Sequence, residues 1–184
     1  LAYHNPVIRI AAPDPTAMRA KDGYFYLYAT EDIRNLPIFR SRDMVKWEEI
    51  GTAFTDETRP DFLPDNKDVK ERAHLWAPEI RYVKGKYVLF YSLAQWGNHW
   101  VSTVGYAVSD SPEGPFTPKG KVFDSREVNV ENSIDQYFYE EDGKYYMHFP
   151  LKDQNDIFRI GVAISDRPEG PFIPQPDPMR GSYS

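Results

Sequence analysis

The 184-residue sequence contains no cysteine, which excludes disulfides, thiolate metal sites and a cysteine nucleophile. No apolar run approaches the roughly 18 residues a membrane span needs, so no membrane partner is expected. The four histidines, His4, His74, His99 and His148, are scattered without metal-ligand spacing, and no metal site is expected. The formal net charge of −6 argues against nucleic acid or an anionic membrane surface as partner. There is no phosphate-cradling glycine loop and no Gly-x-Ser-x-Gly elbow. Long helices are disfavoured by 16 prolines.

Aromatic residues are abundant, with 13 Tyr, 11 Phe and 4 Trp. That composition suits strands and surfaces that stack on flat or apolar ligand faces. The stretch SDSPEGPFTP at 109–118 returns almost unchanged as SDRPEGPFIP at 165–174. A larger period surrounds these turns. A glycine turn leads into an aromatic strand three times, in DGYFYLYAT (22–30), KGKYVLFYS (84–92) and DGKYYMHFP (142–150). Glycine supplies the positive φ that such hairpins need. A strand-like run precedes each turn and two more follow it, except that the last, IPQPDPM, is weakly patterned. Four short strands repeated at a period of about 60 residues predict an all-β fold, a β-propeller of four-stranded blades. A sandwich of plain hairpins is the competing reading. The blades are expected at about 6–60, 75–125 and 131–180, within one partial propeller domain. The stretch DNKDVKERAHL (65–75) reads as an interblade loop.

Propellers close with roughly four to eight blades, so three units predict either further blades or self-association to complete the ring. Acids recur near the first strand of each unit, in PDP (13–15), WAPE (76–79) and SIDQ (133–136). The innermost strands of a propeller line its channel, so Asp14, Glu79 and Asp135 are candidates to converge there. Converging carboxylates serve general acid and base catalysis of glycoside hydrolysis. Locally, Asp14 also reads as a turn former before Pro15, and Asp135 as a strand-start cap. Trp96 and Trp100, in QWGNHW, are candidate sugar-stacking residues or interblade packing. Trp76 is a further candidate, or core, while Trp47 reads as core. The acidic EED at 140–142 reads as a solvated hairpin turn rather than a calcium loop.

The phrases AAPDPTAMRAKDGYFYLYAT, LWAPEIRYVKGKYVLFYS and NSIDQYFYEEDGKYYMHF resemble the first three blades of glycoside hydrolase family 43. The resemblance implies a five-bladed propeller, of which three blades are present here. It implies inverting hydrolysis of arabinose- or xylose-containing polysaccharides and oligosaccharides, and such substrates favour a secreted or periplasmic setting. It makes Asp14 the general base and Asp135 the residue that modulates the acid's pKa. The family's general acid is a Glu at the start of the fourth blade, and one further period from Asp135 runs past Ser184. Glu79 falls on the family's blade-two acid, a structural or channel-lining position. Trp96, Trp100, Trp76 and Glu79 are taken as substrate-binding candidates. No cofactor is implied by the residues present; a channel cation such as calcium occurs in the family, but the histidine associated with it lies in a later blade.

Two departures stand out. Gln136 replaces the proline that follows the blade-three Asp in the family, which relaxes the backbone around Asp135. From 142 onward the sequence resembles a second blade of a xylosidase-like branch, whereas residues 1–140 resemble the arabinanase and α-L-arabinofuranosidase branch. A chimera of two branches is one expectation, and a non-catalytic, self-associating propeller fragment is the alternative to an enzyme. A carbohydrate-binding module is a third reading.

Overall fold

A computed structural model describes residues 3–62, 73–152, 155 and 157–175 of the chain. Among the described residues, twelve strands form three separate four-stranded antiparallel sheets. The first comprises β1 (Thr16–Arg19), β2 (Phe25–Tyr28), β3 (Pro37–Ser41) and β4 (Trp47–Thr52). The second comprises β5 (His74–Val83), β6 (Lys86–Ala94), β7 (Thr103–Ser109) and β8 (Thr117–Asp124), with a 3₁₀ turn at His99–Val101. The third comprises β9 (Tyr137–Glu141), β10 (Lys144–Lys152), β11 (Phe158–Ser165) and β12 (Ile173–Pro174). Strands follow chain order across each sheet, and β1 lies against β5 as β5 lies against β9. Three propeller blades therefore stand side by side with their first strands innermost. Residues 65–72 of the expected interblade loop lie outside the described residues. The end of that stretch already belongs to β5, which starts at His74, earlier than the sequence pattern suggests.

The hairpins form for the reason the sequence indicates. Lys84 and Gly85 take φ of 47° and 84°, and Asp142 and Gly143 take 51° and 74°. Two successive positive-φ residues make the turn that matches strand twist. The EED stretch thus ends in an ordinary hairpin turn. In the first blade the link is longer, with the Ala20 N–H donating to the Tyr24 carbonyl at 2.8 Å.

Packing explains why β6 shows no polar alternation. Its Leu89, Tyr91 and Leu93 join Tyr28, Ile38, Phe54 and Leu75 in the core between blades one and two. The intervening Val88 and Phe90 join Phe138, Met147 and Phe172 between blades two and three. A strand buried on both faces reads as one continuous apolar run.

The repeated turns are keys between blades. Phe116 of the first is buried and meets the Tyr28 ring edge-on at 6.0 Å. Tyr28 Oη donates to the Pro112 carbonyl at 2.5 Å, and Arg40 pairs with Glu113 at 2.6 Å. Phe172 of the second copy meets Phe138 edge-on at 6.5 Å. Each turn thus folds its Phe into the core shared with the preceding blade. Across the far face of blade three, by contrast, Tyr137, Phe158 and Ile160 are 50%, 69% and 57% exposed. Strand register places Tyr137 opposite His148, and Ile160 opposite Pro150 on the same face.

Candidate active site

Each innermost strand carries a left-handed residue near its start. Asp14 and Asp135 lie just ahead of β1 and β9, Ala77 is the fourth residue of β5, and their φ are 47°, 58° and 40°. A non-glycine residue in this left-handed region costs about 1–2 kcal/mol, strain that functional sites commonly carry. The equivalence corrects the expected recurrence of acids. The blade-two counterpart of Asp14 and Asp135 is Ala77, and Glu79 lies two residues further on, level with Thr16 and Tyr137. A bulge accounts for the protrusion of Ala77. Trp76 pairs with Ser92 and Glu79 with Phe90, so residues 77 and 78 together oppose Tyr91.

Side chains from the ends of the second strands hold these entries. Thr30 Oγ1 donates to Asp14 Oδ2 at 2.8 Å and accepts the Ala77 N–H at 2.7 Å. Ser92 Oγ accepts the Asp135 N–H at 3.1 Å and donates to Gln136 Oε1 at 2.9 Å. Gln136 Nε2 donates to the Ala77 carbonyl at 3.0 Å. Gln136 is buried, 5% exposed, and bonded at both ends of its amide. It therefore anchors the backbone that the loss of proline was expected to relax.

Asp135 is exposed as a residue, yet the surrounding protein partly desolvates its carboxyl. That burial raises its pKa above the ordinary aspartate value, and the charge of Asp14 raises it further. The two carboxyls therefore share one electrostatic environment, which is how enzymes set acids apart in protonation. Asp14→Asn is expected to lower the Asp135 pKa, read as the midpoint of its carboxyl ¹³C titration. An acid with a raised pKa in the fold favours folding below its unfolded pKa and loses that contribution as pH rises through the folded value. Asp135→Asn should accordingly flatten the pH dependence of stability just above the ordinary aspartate range.

Glu79 is placed differently from the aspartates. It is buried between blades, accepts from Thr16 Oγ1 at 3.3 Å and pairs with Arg81. Burial raises its pKa, and the Arg81 charge opposes that rise. Arg81 lies over the Tyr137 ring at 5.1 Å, so Glu79 and Arg81 connect all three blades. Trp76, half-buried, packs 4.8 Å from Trp96 and stacks on His74 at 6.2 Å. Trp96 is 76% exposed and Trp100 43% exposed. An indole surface therefore begins at the residue preceding Ala77. Among the described residues, no group of three or more His, Asp or Glu side chains converges in a way that could hold a metal ion.

Sequence reasoning missed Thr30 and Ser92, although a signal exists: each hydroxyl lies seven residues after its blade's turn glycine. It also missed Glu31 and Arg59, whose buried ion pair links blade one to the start of β5.

Residues 3–149 match the family model described as Glycosyl hydrolases family 43. The chain belongs to glycosyl hydrolase family 43. Over 152 residues it is 30% identical to an arabinan endo-1,5-alpha-L-arabinosidase A from Aspergillus niger, covering 80% of this chain and 44% of that protein. A 43-residue stretch is 81% identical to a xylosidase/arabinosidase from Bacteroides ovatus, covering 23% of this chain and 13% of that protein. The chain thus spans less than half the length of these relatives. Among solved structures, a family 117 glycoside hydrolase from Zobellia galactanivorans matches with a TM-score of 0.72 at 23% identity, over 96% of this chain and 58% of that one. That likeness concerns the fold.

Proposed function

We propose that the chain supplies the base side of an inverting glycoside hydrolase site acting on arabinose- or xylose-containing polysaccharides and oligosaccharides. The observation that carries this reading is the pair Asp14 and Asp135, held at equivalent blade entries and close enough for one charge to raise the pKa of the other. Asp14 is the general base. It takes a proton from water as the water oxygen bonds to the anomeric carbon, and the glycosidic C–O bond breaks with its electron pair leaving on the aglycone oxygen. Asp135 modulates the acid that protonates that oxygen. The acid itself is a Glu from outside these three blades, contributed by a further blade or by another copy. Trp76 and Trp96 offer apolar ring faces to sugar C–H faces, and the exposed Trp100 is a further candidate. Glu79 supports the channel wall rather than touching substrate.

Leaving-group dependence tests this assignment. A dinitrophenolate departs without protonation, whereas an alkoxide needs the acid. The chain should therefore hydrolyse dinitrophenyl α-L-arabinofuranoside or β-xyloside while leaving unactivated oligosaccharides essentially intact. Equal rates on both classes would show that an acid is already present, and no rate on either would remove the enzymatic reading.

The exposed aromatic and aliphatic face of blade three favours a second reading alongside the first: this face takes up a further blade or a second copy. Open apolar sheet faces drive such pairing. A solution mass of twice the chain supports pairing of copies, and a monodisperse monomer speaks against it. Sequences from two branches within one chain fit the contrast between 81% identity over 43 residues and 30% over 152.

A further inference from the structure

A hydroxyl residue stands near the end of the second strand in blades one and two, Thr30 two residues beyond β2 and Ser92 two before the end of β6, and each accepts an N–H from the next blade's entry residue, Ala77 or Asp135. The hydroxyl protons go to different places. That of Thr30 bonds the entry carboxylate of its own blade, Asp14. Ser92 has no such carboxylate, because the entry residue of its own blade is Ala77. Its proton goes instead to Gln136, which stands where blades one and two have Pro15 and Pro78. The other end of the same amide caps the Ala77 carbonyl. Alanine in one blade and glutamine in the next are thus complementary. A proline at 136 would leave both a hydroxyl proton and a carbonyl without these partners.

We infer that Thr30, Ser92 and Gln136 are positioning residues, forming one relay through both peptide groups of Ala77 that fixes the separation of Asp14 and Asp135 across three blades. The links run in order: Asp14 Oδ2, Thr30 hydroxyl, Ala77 N–H, Ala77 carbonyl, Gln136 amide, Ser92 hydroxyl, Asp135 N–H. Gln136 is buried and Ser92 fully so, and a hydrogen bond broken there leaves a desolvated partner unpaired. The backbone is therefore held at its left-handed φ from both sides. This inference deepens the hydrolase reading and, for its catalytic consequence, rests on it.

The test uses the full chain with ¹³C-labelled aspartate and the variants Thr30→Val, Gln136→Met and Ser92→Ala, each checked for retained fold by circular dichroism and thermal unfolding. Thr30 bonds Asp14 and so can reach Asp135 through the Asp14 charge alone, whereas the Gln136 amide bonds neither carboxylate, so a merely local role for Gln136 leaves the Asp135 midpoint where it is. The relay predicts a downward shift of that midpoint in Thr30→Val and Gln136→Met, as the carboxyls separate, with Thr30→Ser retaining the parent midpoint. With the dinitrophenyl glycoside, kcat falls about 10- to 100-fold at nearly constant KM, as expected when reacting groups are misplaced by an ångström or less. Folded variants with unchanged midpoints overturn the relay even if hydrolysis is observed. Shifted midpoints in a chain without hydrolysis support the relay and overturn the hydrolase reading. If Ser92→Ala fails to fold, Ser92→Thr, which keeps the hydroxyl, must fold and titrate like the parent; a shifted midpoint there also overturns it.

Discussion

Asp14→Ala is expected to lower dinitrophenyl glycoside hydrolysis by about 10²- to 10⁴-fold, the usual contribution of a positioned base. The loss should fall on kcat, because the base acts on the attacking water rather than on sugar binding. The geometry makes the expectation specific. Asp14 sits in the left-handed region at φ 47°, and its Oδ2 accepts from Thr30 at 2.8 Å. One carboxylate oxygen is thereby held in place. Azide distinguishes loss of the base from loss of the fold, since it attacks the anomeric carbon without giving up a proton. Added azide should restore dinitrophenolate release in Asp14→Ala and yield a glycosyl azide. Failure of azide to raise the rate in a folded variant would mean that Asp14 does more than deprotonate, or nothing at all.

Glu31→Ala is expected to destabilise the fold by about 3–5 kcal/mol, the range for breaking one side of a buried ion pair. The side chains of Arg59 and Glu31 are 0% and 4% exposed. Arg59 Nη1 donates to Glu31 Oε2 at 2.7 Å and to Asn35 Oδ1 at 3.0 Å, and Nη2 donates to the Ala73 carbonyl at 2.6 Å. The Asn35 and Leu75 N–H groups donate to the same carboxylate at 2.9 and 3.0 Å. Removing the carboxylate therefore strands a buried guanidinium and two backbone donors. For a domain of this size the loss is about 10 °C in Tm. Replacing both partners by apolar residues removes the charges together, so Glu31→Met with Arg59→Met should recover much of the loss. Thermal and urea unfolding read the difference. A loss below about 1 kcal/mol in the single variant would contradict the described burial. Because Glu31 follows Thr30, this pair also steadies the hydroxyl that holds Asp14.

The blade architecture was legible because its signals are local and repeated. Turn glycines, aromatic strands and the twin PEGPF turns each recur at nearly one period, and each hairpin is fixed by residues adjacent in sequence. The equivalent positions of Asp14 and Asp135 are legible from the same period. The blade-two counterpart is not, because a bulge, which carries no sequence mark, puts Ala77 at the left-handed position and Glu79 two residues further on. The relay was hidden for a different reason. Its partners lie 16 to 59 residues apart, and Thr and Ser are common at strand ends. In the sequence Gln136 reads only as a lost proline; that its amide caps Ala77 emerges when the two blades are brought together. Glu31 and Arg59 had no pattern at all, since nothing in EDIR or TRPD announces burial.

The most direct test is the anomer first released from dinitrophenyl α-L-arabinofuranoside, followed by ¹H NMR before the sugar mutarotates. Water activated by Asp14 attacks opposite the leaving group, so the account predicts β-L-arabinose as the first product, lost in Asp14→Ala. First release of the α-anomer, or an undiminished rate in Asp14→Ala, would contradict it.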